Sequence, residues 1–560
     1  MKLRFLHQKQ TALSWGLAGL VVLILVGIIA APLLAILKLA FFEPETNTWG
    51  LASFLVALNT PNFRLSFNNS LVLGISCTAI VIPLAYGYAA ALTRTRLPAW
   101  LKNALRLWAL IPLLAPSLLP AIALVYLFGN QGILKSWFPD GGIYGFWGVL
   151  IGEVFFTFPH ALMILWTALR LADNSLYEAA RGLGASKIRV WLSVTLSNVR
   201  YGLLSAAMVV FTLTVTDFGV AKVLGGQLSV LALEAYKQVI GQQNFSQGAV
   251  IGVFLLLPAL LAFGLDAYAQ RKQQTLSSHL ILVVTPPINR WRDASALMFC
   301  LLVGGGLLVI LGTALAAAFI EAWPYKLTFS LQHFQFEDSG FEGWLAFSNS
   351  LIVASFSAIF GTILVFVGAL LTEKHAANLV WKKPLHSLAM LPMATPGLVL
   401  GLGYVLFFNH PQNPLNGLYG SLTLLVLCSI AHFYTTAHLT ALTALKQLNL
   451  ALEVAALTLK VPFWVTAWRV TLPICLPACV DIARYFFIAS MTTVSAVAFL
   501  YTPDTLLASI SVLSMDDMGD TAAAAAMSSL IFISCVLACG VFSLLNALLS
   551  KRHQAWQRQF

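Results

Sequence analysis

Charge is what this sequence has least of. Asp, Glu, Lys and Arg make up 9% of its 560 residues, against about 25% in a soluble globular chain. An ordinary soluble enzyme, a disordered chain and a fibrous protein are all excluded. Cysteine is sparse and odd in number, at seven. Cys77, Cys300, Cys428 and Cys535 sit inside apolar runs, and Cys475/Cys479 and Cys535/Cys539 are each one helical turn apart. No His or carboxylate completes a metal shell around them, so they read as packing residues with no bound metal. His432 and His438 likewise share an apolar stretch with no carboxylate nearby in sequence. Neither a Ser–His–Asp pattern nor a carboxylate pair stands out, so the chain reads as non-catalytic. There is no Gly-Lys dipeptide, which rules out a Walker A loop in this polypeptide. What is present is apolar. Hydrophobic residues make up 59% of the chain and mean hydropathy is +0.85. This is an all-α, polytopic membrane protein, and the bilayer is its solvent. The net charge of +11 reads as Lys and Arg in cytoplasmic loops and not as a nucleic-acid surface.

A spanning helix needs about 20 apolar residues. Twelve candidate runs meet that need, near 13–42, 69–93, 107–128, 145–169, 201–222, 246–268, 294–320, 349–371, 386–408, 419–442, 476–500 and 521–549. The first is too long for a signal-peptide core and reads as a retained helix. With the N-terminus (Lys2, Arg4, Lys9) in the cytoplasm, the inner segments hold 25 of the 32 basic residues. Outer segments hold six: Lys38, Arg64, Lys135, Lys222, Lys237 and Lys326. That bias places both termini inside.

Self-comparison shows two copies of one unit. Phe67-Asn68-Asn69-Ser70-Leu71 returns 280 residues later as Phe347-Ser348-Asn349-Ser350-Leu351, and Pro112 and Pro116 return as Pro392 and Pro396. At an offset of 276, Glu178-Ala179-Ala180-Arg181-Gly182-Leu183-Gly184 aligns with Val454-Ala455-Ala456-Leu457-Thr458-Leu459-Lys460. Six spans per copy give both copies one orientation, a parallel repeat about an axis along the membrane normal. The expected organisation is a first repeat over 1–275 (core about 65–270), a cytoplasmic linker over 276–293, and a second repeat over 294–560 (core about 345–548).

The paired loops resemble the coupling loop of ABC-importer permeases: Glu-Ala-Ala, three residues, Gly, nine residues, an aliphatic, any residue, then Leu-Pro. The first loop matches at Glu178, Ala179, Ala180, Gly184, Val194 and Leu196, with Ser197 in place of the Pro. The second keeps Ala455, Ala456, Val470, Leu472 and Pro473; Glu453 precedes the motif and Lys460 replaces the Gly. The chain thus resembles fused two-domain permeases for ferric iron, thiamine or 2-aminoethylphosphonate, of the type I ABC-importer fold. The resemblance implies a multi-pass protein of the bacterial inner membrane and a homodimeric cytoplasmic ATPase that carries ATP and Mg. It also implies an extracytoplasmic substrate-binding protein, and no cofactor on this chain. Acid at a helix start suits the macrodipole, so Glu178 is expected at the N-terminus of a short docking helix. Lys460 is expected to change the second turn, because a non-Gly residue is uncommon at positive φ.

Four local strings, 216–227, 236–245, 494–504 and 514–520, resemble 2-aminoethylphosphonate permeases, and the last two also resemble ferric-iron permeases. Phosphonate is therefore the expected substrate, with ferric iron or thiamine the alternative. An ion-coupled secondary transporter is the alternative class. Charge inside a span is costly and marks function by default. Glu153 and Asp217 are the candidates, with Thr493 and Ser495 at the place in the second copy that matches Asp217. Lys222 and Lys237 sit where they could draw an anion to the outer mouth. Asp481 and Arg484, three apart, are expected to pair on one helix face.

The orientation is testable. Reporter fusions after Phe560 and within the 501–520 loop should report opposite sides of the membrane, and a same-side result would sink the twelve-span topology.

Overall fold

The computed structural model describes residues 15–43, 47–138, 142–170, 174–276, 289–337, 342–374 and 379–557. Lys2, Arg4, Lys9 and most of the expected linker lie outside them. Among the described residues the secondary structure is helical apart from two small hairpins. Ten helices among the described residues are long and apolar enough to span: Trp15–Phe41, Pro61–Arg94, Phe146–Arg170, Ile188–Thr216, Phe245–Leu265, Arg290–Ala318, Gly343–Glu373, Leu422–Lys446, Phe463–Thr492 and Thr521–Leu549. Two further helix pairs pass the same test together but bend, Ala99–Leu114 with Leu118–Phe128 by 101° and Val380–Ala394 with Gly397–Phe408 by 114°. Taking each pair as one span gives twelve. They are numbered below in chain order, the bent pairs being third and ninth.

The proline pairs cause the bends. Pro112 and Pro392 each begin a 3₁₀ turn, Ile111–Leu114 and Leu391–Ala394. The residues that follow, Ala115 and Thr395, are extended (ψ 140° and 111°), as the steric demand of Pro116 and Pro396 requires. Proline also withholds an N–H from the helical ladder. In lipid the carbonyls so released need other donors.

Thr435 of the tenth span supplies one repair. Its hydroxyl donates to the Ala389 carbonyl at 2.7 Å and accepts from the Met393 N–H at 3.2 Å. It therefore bridges a donor and acceptor that an unbroken helix would join directly. Tyr404 supplies another. Pro32 in the first span has no N–H to offer the Ile28 carbonyl one turn earlier. The buried Tyr404 hydroxyl donates to that carbonyl at 2.7 Å.

The contacts divide the chain into two compact units. One holds residues 50–341 with 512–529; the other holds 1–49, 342–511 and 530–560. In the first unit, the second, fourth, fifth and sixth spans pack on one another, and the seventh packs on Leu118–Phe128. In the second unit, the eighth, tenth and eleventh spans pack together, and the first span packs on Gly397–Phe408. Each unit thus takes its opening span from the other sequence half. Each opening span ends in a hairpin: Phe42 pairs with Trp49, and Ile320 with Phe329.

The fifth and eleventh spans differ from the hydropathy reading of 201–222 and 476–500. They begin earlier, because the helix leaving each interhelical loop runs into the span through a π turn, Trp191–Leu196 or Ala467–Thr471. Pro473 therefore lies inside a continuous helical run, two residues after the end of that wider turn. They end earlier too, at Thr216 and Thr492, where Asp217 and Thr493 are extended (ψ 137° and 135°).

Removing either hydroxyl repair should weaken the fold. Tyr404→Phe and Thr435→Val should each cost about 1–3 kcal/mol, the penalty for a buried polar group losing its partner. The measurement is thermal unfolding of the purified chain in detergent. Gly264→Ala, where an added Cβ meets nothing within 4 Å, should not lower the midpoint, because alanine is the better helix former.

Candidate functional site

The two motif loops share one backbone. Asn174–Gly182 and Leu450–Thr458 are short helices. Each closes in a left-handed residue, Gly184 at φ 69° and Lys460 at φ 57°. The closing hydrogen bonds match one for one. Leu183 N–H donates to the Ala179 carbonyl and Ala185 N–H to that of Ala180, both at 3.0 Å. Leu459 N–H donates to Ala455 and Val461 N–H to Ala456, both at 2.9 Å. Paired bonds of this kind around a left-handed residue terminate many helices. The expectation that Lys460 would turn the second loop differently is overturned. The bonds that close the turn hold Lys460 in a conformation where its Cβ costs roughly 1–2 kcal/mol.

A second expectation also fails. Glu178 is not at the start of its helix, since Asn174 and Ser175 precede it and no acid occupies the first turn. Its exposed side chain lies one turn in, so the macrodipole account does not apply to it. In the second loop, Glu453 does lie in the first turn.

Each loop is tied to its own unit by a cation at the end of the span that opens the core. Arg94, in the last turn of the second span, donates from Nη2 to the Tyr177 hydroxyl at 2.9 Å and lies over that ring at 4.5 Å. Lys374, just past the eighth span, forms an ion pair with Glu453. The outer faces are apolar and exposed. Leu183 is 87% exposed and its counterpart Leu459 is 75% exposed. Leu176, Ile188, Leu192, Val454 and Trp468 are exposed beside them. Ala180, Val194, Leu196, Val470, Leu472 and Pro473 are half-buried.

The intramembrane candidates fall at matched sequence positions of the two repeats. Glu153 of the fourth span is fully buried, and neither carboxyl oxygen finds a hydrogen-bond partner within ordinary reach. Its titratable neighbours are Asp217 and Cys77. Asp217 Oδ2 accepts from the Val220 N–H at 2.8 Å, so it caps the short helix Gly219–Leu224 after the break. At offset 276, Glu153, Thr214 and Asp217 correspond to Ser429, Ser490 and Thr493. All three of those are buried, and the hydroxyls of Thr214, Ser429 and Ser490 lack partners. Hydropathy gives no signal for Ser429, Ser490 or Thr214, because a lone hydroxyl barely alters a 20-residue window; the internal repeat would have found them. Thr493 instead gives its carbonyl to the Ser509 hydroxyl at 2.6 Å.

Ser495 lies against Gly397, where a Cβ on the glycine would sit 2.5 Å from Oγ. The matching contact in the other unit is Gly219 against Ser117, with the small and polar partners exchanged.

Lys222 is engaged, with Nζ 2.9 Å from Asp517 Oδ1. Asp516 beside it is pushed up to about 6 by burial first and by the Asp517 charge second. Asp481 and Arg484 pair at 2.9 Å. Among the described residues, no three His, Cys, Asp or Glu side chains are placed to hold a metal.

Known proteins agree with this architecture. The family described as binding-protein-dependent transport system inner membrane component matches twice, over residues 82–275 and 365–553. The ferric transport system permease protein FbpB of Actinobacillus pleuropneumoniae is 25% identical over 535 residues, which is 92% of this chain and 75% of that protein. A ferric transport system permease protein of Haemophilus influenzae is also 25% identical, over 87% of this chain and 77% of its own length. The sulfate transport system permease protein CysW of Synechocystis is 28% identical over 45% of this chain and 90% of its own length, as expected of one repeat against two. The two family matches together cover well over half the chain, which therefore belongs to the binding-protein-dependent transport system inner membrane components, with two copies of the family's domain in one polypeptide.

Proposed function

We propose that the chain is the membrane-spanning permease of an ATP-driven importer, with ferric iron as its substrate. A binding protein outside the membrane delivers the substrate. Two copies of a separate ATPase dock on the loops at Asn174–Gly182 and Leu450–Thr458. The observation that carries this reading is the duplicated loop. Two loops have the same closing turn and an exposed leucine at the same place, in two repeats of one chain. Two equivalent patches suit a two-fold partner, and exposed apolar patches on a permease mark docking sites. Closure of the ATPase dimer would then move both loops together and switch the access of the pathway.

Ferric iron moves ahead of 2-aminoethylphosphonate because two relatives that align with most of this chain carry ferric-transport names. Calorimetry of the cognate binding protein against ferric iron and 2-aminoethylphosphonate decides between them. Binding of the phosphonate without ferric iron would overturn the substrate assignment and leave the permease reading intact. The ion-coupled alternative would rest on buried, partnerless Glu153, since Asp217 caps a helix, and it leaves the duplicated loops without a role.

The unequal loops give a graded prediction. Lys460→Gly relieves the left-handed strain and should match or exceed the parent in substrate-stimulated ATPase activity. Gly184→Val introduces that strain, roughly 1–2 kcal/mol, and should lower coupling. Leu183→Asp and Leu459→Asp should both weaken ATPase binding severalfold, measured by copurification. Undiminished copurification of both aspartate variants would place the docking surface elsewhere.

A further inference from the structure

A pocket opens beside the first loop, within the unit formed by residues 50–341. It measures about 350 Å³ and is lined by Leu92, Thr93, Arg94, Lys102, Asn103, Arg106, Trp166, Leu169 and Arg170. Four of these side chains are cationic and none is acidic. The cations are held by aromatic rings and a carbonyl. Arg106 and Arg170 both lie over the Trp166 indole, at 5.0 and 5.3 Å. Arg94 lies over Tyr177, and its Nε and Nη1 are buried without a hydrogen-bond partner. Lys102 Nζ donates to the Thr95 carbonyl at 2.6 Å. Asp293 is the acid that acts on Lys102, and it already holds Arg292 at 2.7 Å.

The other unit shows what is missing. At the same offsets, Arg94, Lys102, Arg106 and Arg170 correspond to Lys374, Lys382, His386 and Lys446. His386 has Lys446 and Lys382 as neighbours, so the cluster is assembled there too. In that unit the position of Tyr177 is taken by Glu453, whose carboxylate pairs with Lys374. The first unit has kept the cations and put a neutral ring where the counter-charge would be.

We infer that the Arg94–Lys102–Arg106–Arg170 pocket binds a phosphate-type oxyanion, supplied by the headgroup of an anionic phospholipid. Guanidinium groups stacked on rings keep their N–H edges free, and those edges match phosphate oxygens in pairs. The apolar part of the lining, Leu92, Trp166 and Leu169, suits the start of an acyl chain. Basic pockets between spanning helices are where such headgroups bind. The inference needs only that this end of the unit meets the membrane surface, and it does not depend on the ATPase or on the substrate.

The test is thermal unfolding of the full-length chain in neutral detergent, titrated with phosphatidylglycerol, phosphatidylcholine or inorganic phosphate. Phosphatidylglycerol should raise the melting temperature and phosphatidylcholine should not. Arg94→Gln with Arg106→Gln should weaken the phosphatidylglycerol midpoint at least tenfold. Tyr177→Glu supplies the missing carboxylate from the chain itself. It should abolish the lipid response while melting no lower than the parent without lipid, and it keeps the test decisive if the double variant misfolds. Lys382→Gln with Lys446→Gln should leave the response unchanged. A rise with inorganic phosphate that Tyr177→Glu removes, without one from phosphatidylglycerol, would make the occupant a free anion and overturn the lipid source. Equal responses to the two lipids, or a Tyr177→Glu variant that responds like the parent, would overturn the site.

Discussion

The fold depends on one constraint: a polar backbone group in hydrocarbon must find its partner inside the protein. Helices meet that demand without help, and this chain breaks its helices in matched places. Three of the breaks are repaired by a named group. Thr435 bridges Ala389 and Met393 at the ninth-span bend. Tyr404 reaches the Ile28 carbonyl beside Pro32. Asp217 caps the helix that restarts after the fifth span. Irregular backbone at membrane depth is tolerated where such repairs exist, and it is also where a polar route can be built. The buried, partnerless hydroxyls of Thr214 and Ser490 lie two residues before the ends of the fifth and eleventh spans, at Thr216 and Thr492.

The two repeats satisfy the same geometry with different residues. Gly219 lies against Ser117 in one copy, and Ser495 against Gly397 in the other. A close approach needs one small residue, and either side can provide it. Gly361 admits the Phe486 ring, while the aligned pair in the first half is Val81 and Val210. At the loops, Gly184 and Lys460 take the same left-handed turn, and the lysine is carried by the surrounding hydrogen bonds. The loop tethers differ in the same spirit: a cation over a tyrosine in one unit, a cation on a glutamate in the other.

Much of this was legible in the sequence. Twelve apolar runs, the 276–280 offsets and the Glu-Ala-Ala pattern gave the span count, the repeat and the loop positions, because hydropathy and motif spacing are local properties. The proline pairs marked the bends, though not their sharpness. Four things were not legible. The starts of the fifth and eleventh spans were missed because a polar helix running into an apolar one gives no hydropathy edge. Glu178 was misplaced because helix starts depend on the residues before the motif. The Lys460 turn was misread because local preference was overridden by bonds from Leu459 and Val461. The role of Asp217 as a cap needed coordinates, since composition does not distinguish a buried acid that closes a helix from one that meets a substrate.

The exchange of opening spans sets a timetable for synthesis. The first span is complete at Phe41, but the helix it packs on begins at Gly397. At about 5–20 residues per second, the ribosome needs roughly 20–70 s to cover that interval. Through most of it, Trp15–Phe41 waits without the helix it finally packs on, its Ile28 carbonyl lacking the Tyr404 hydroxyl. Its high apolarity makes that wait tolerable, and the first helix can dock fully only after Tyr404 has been made.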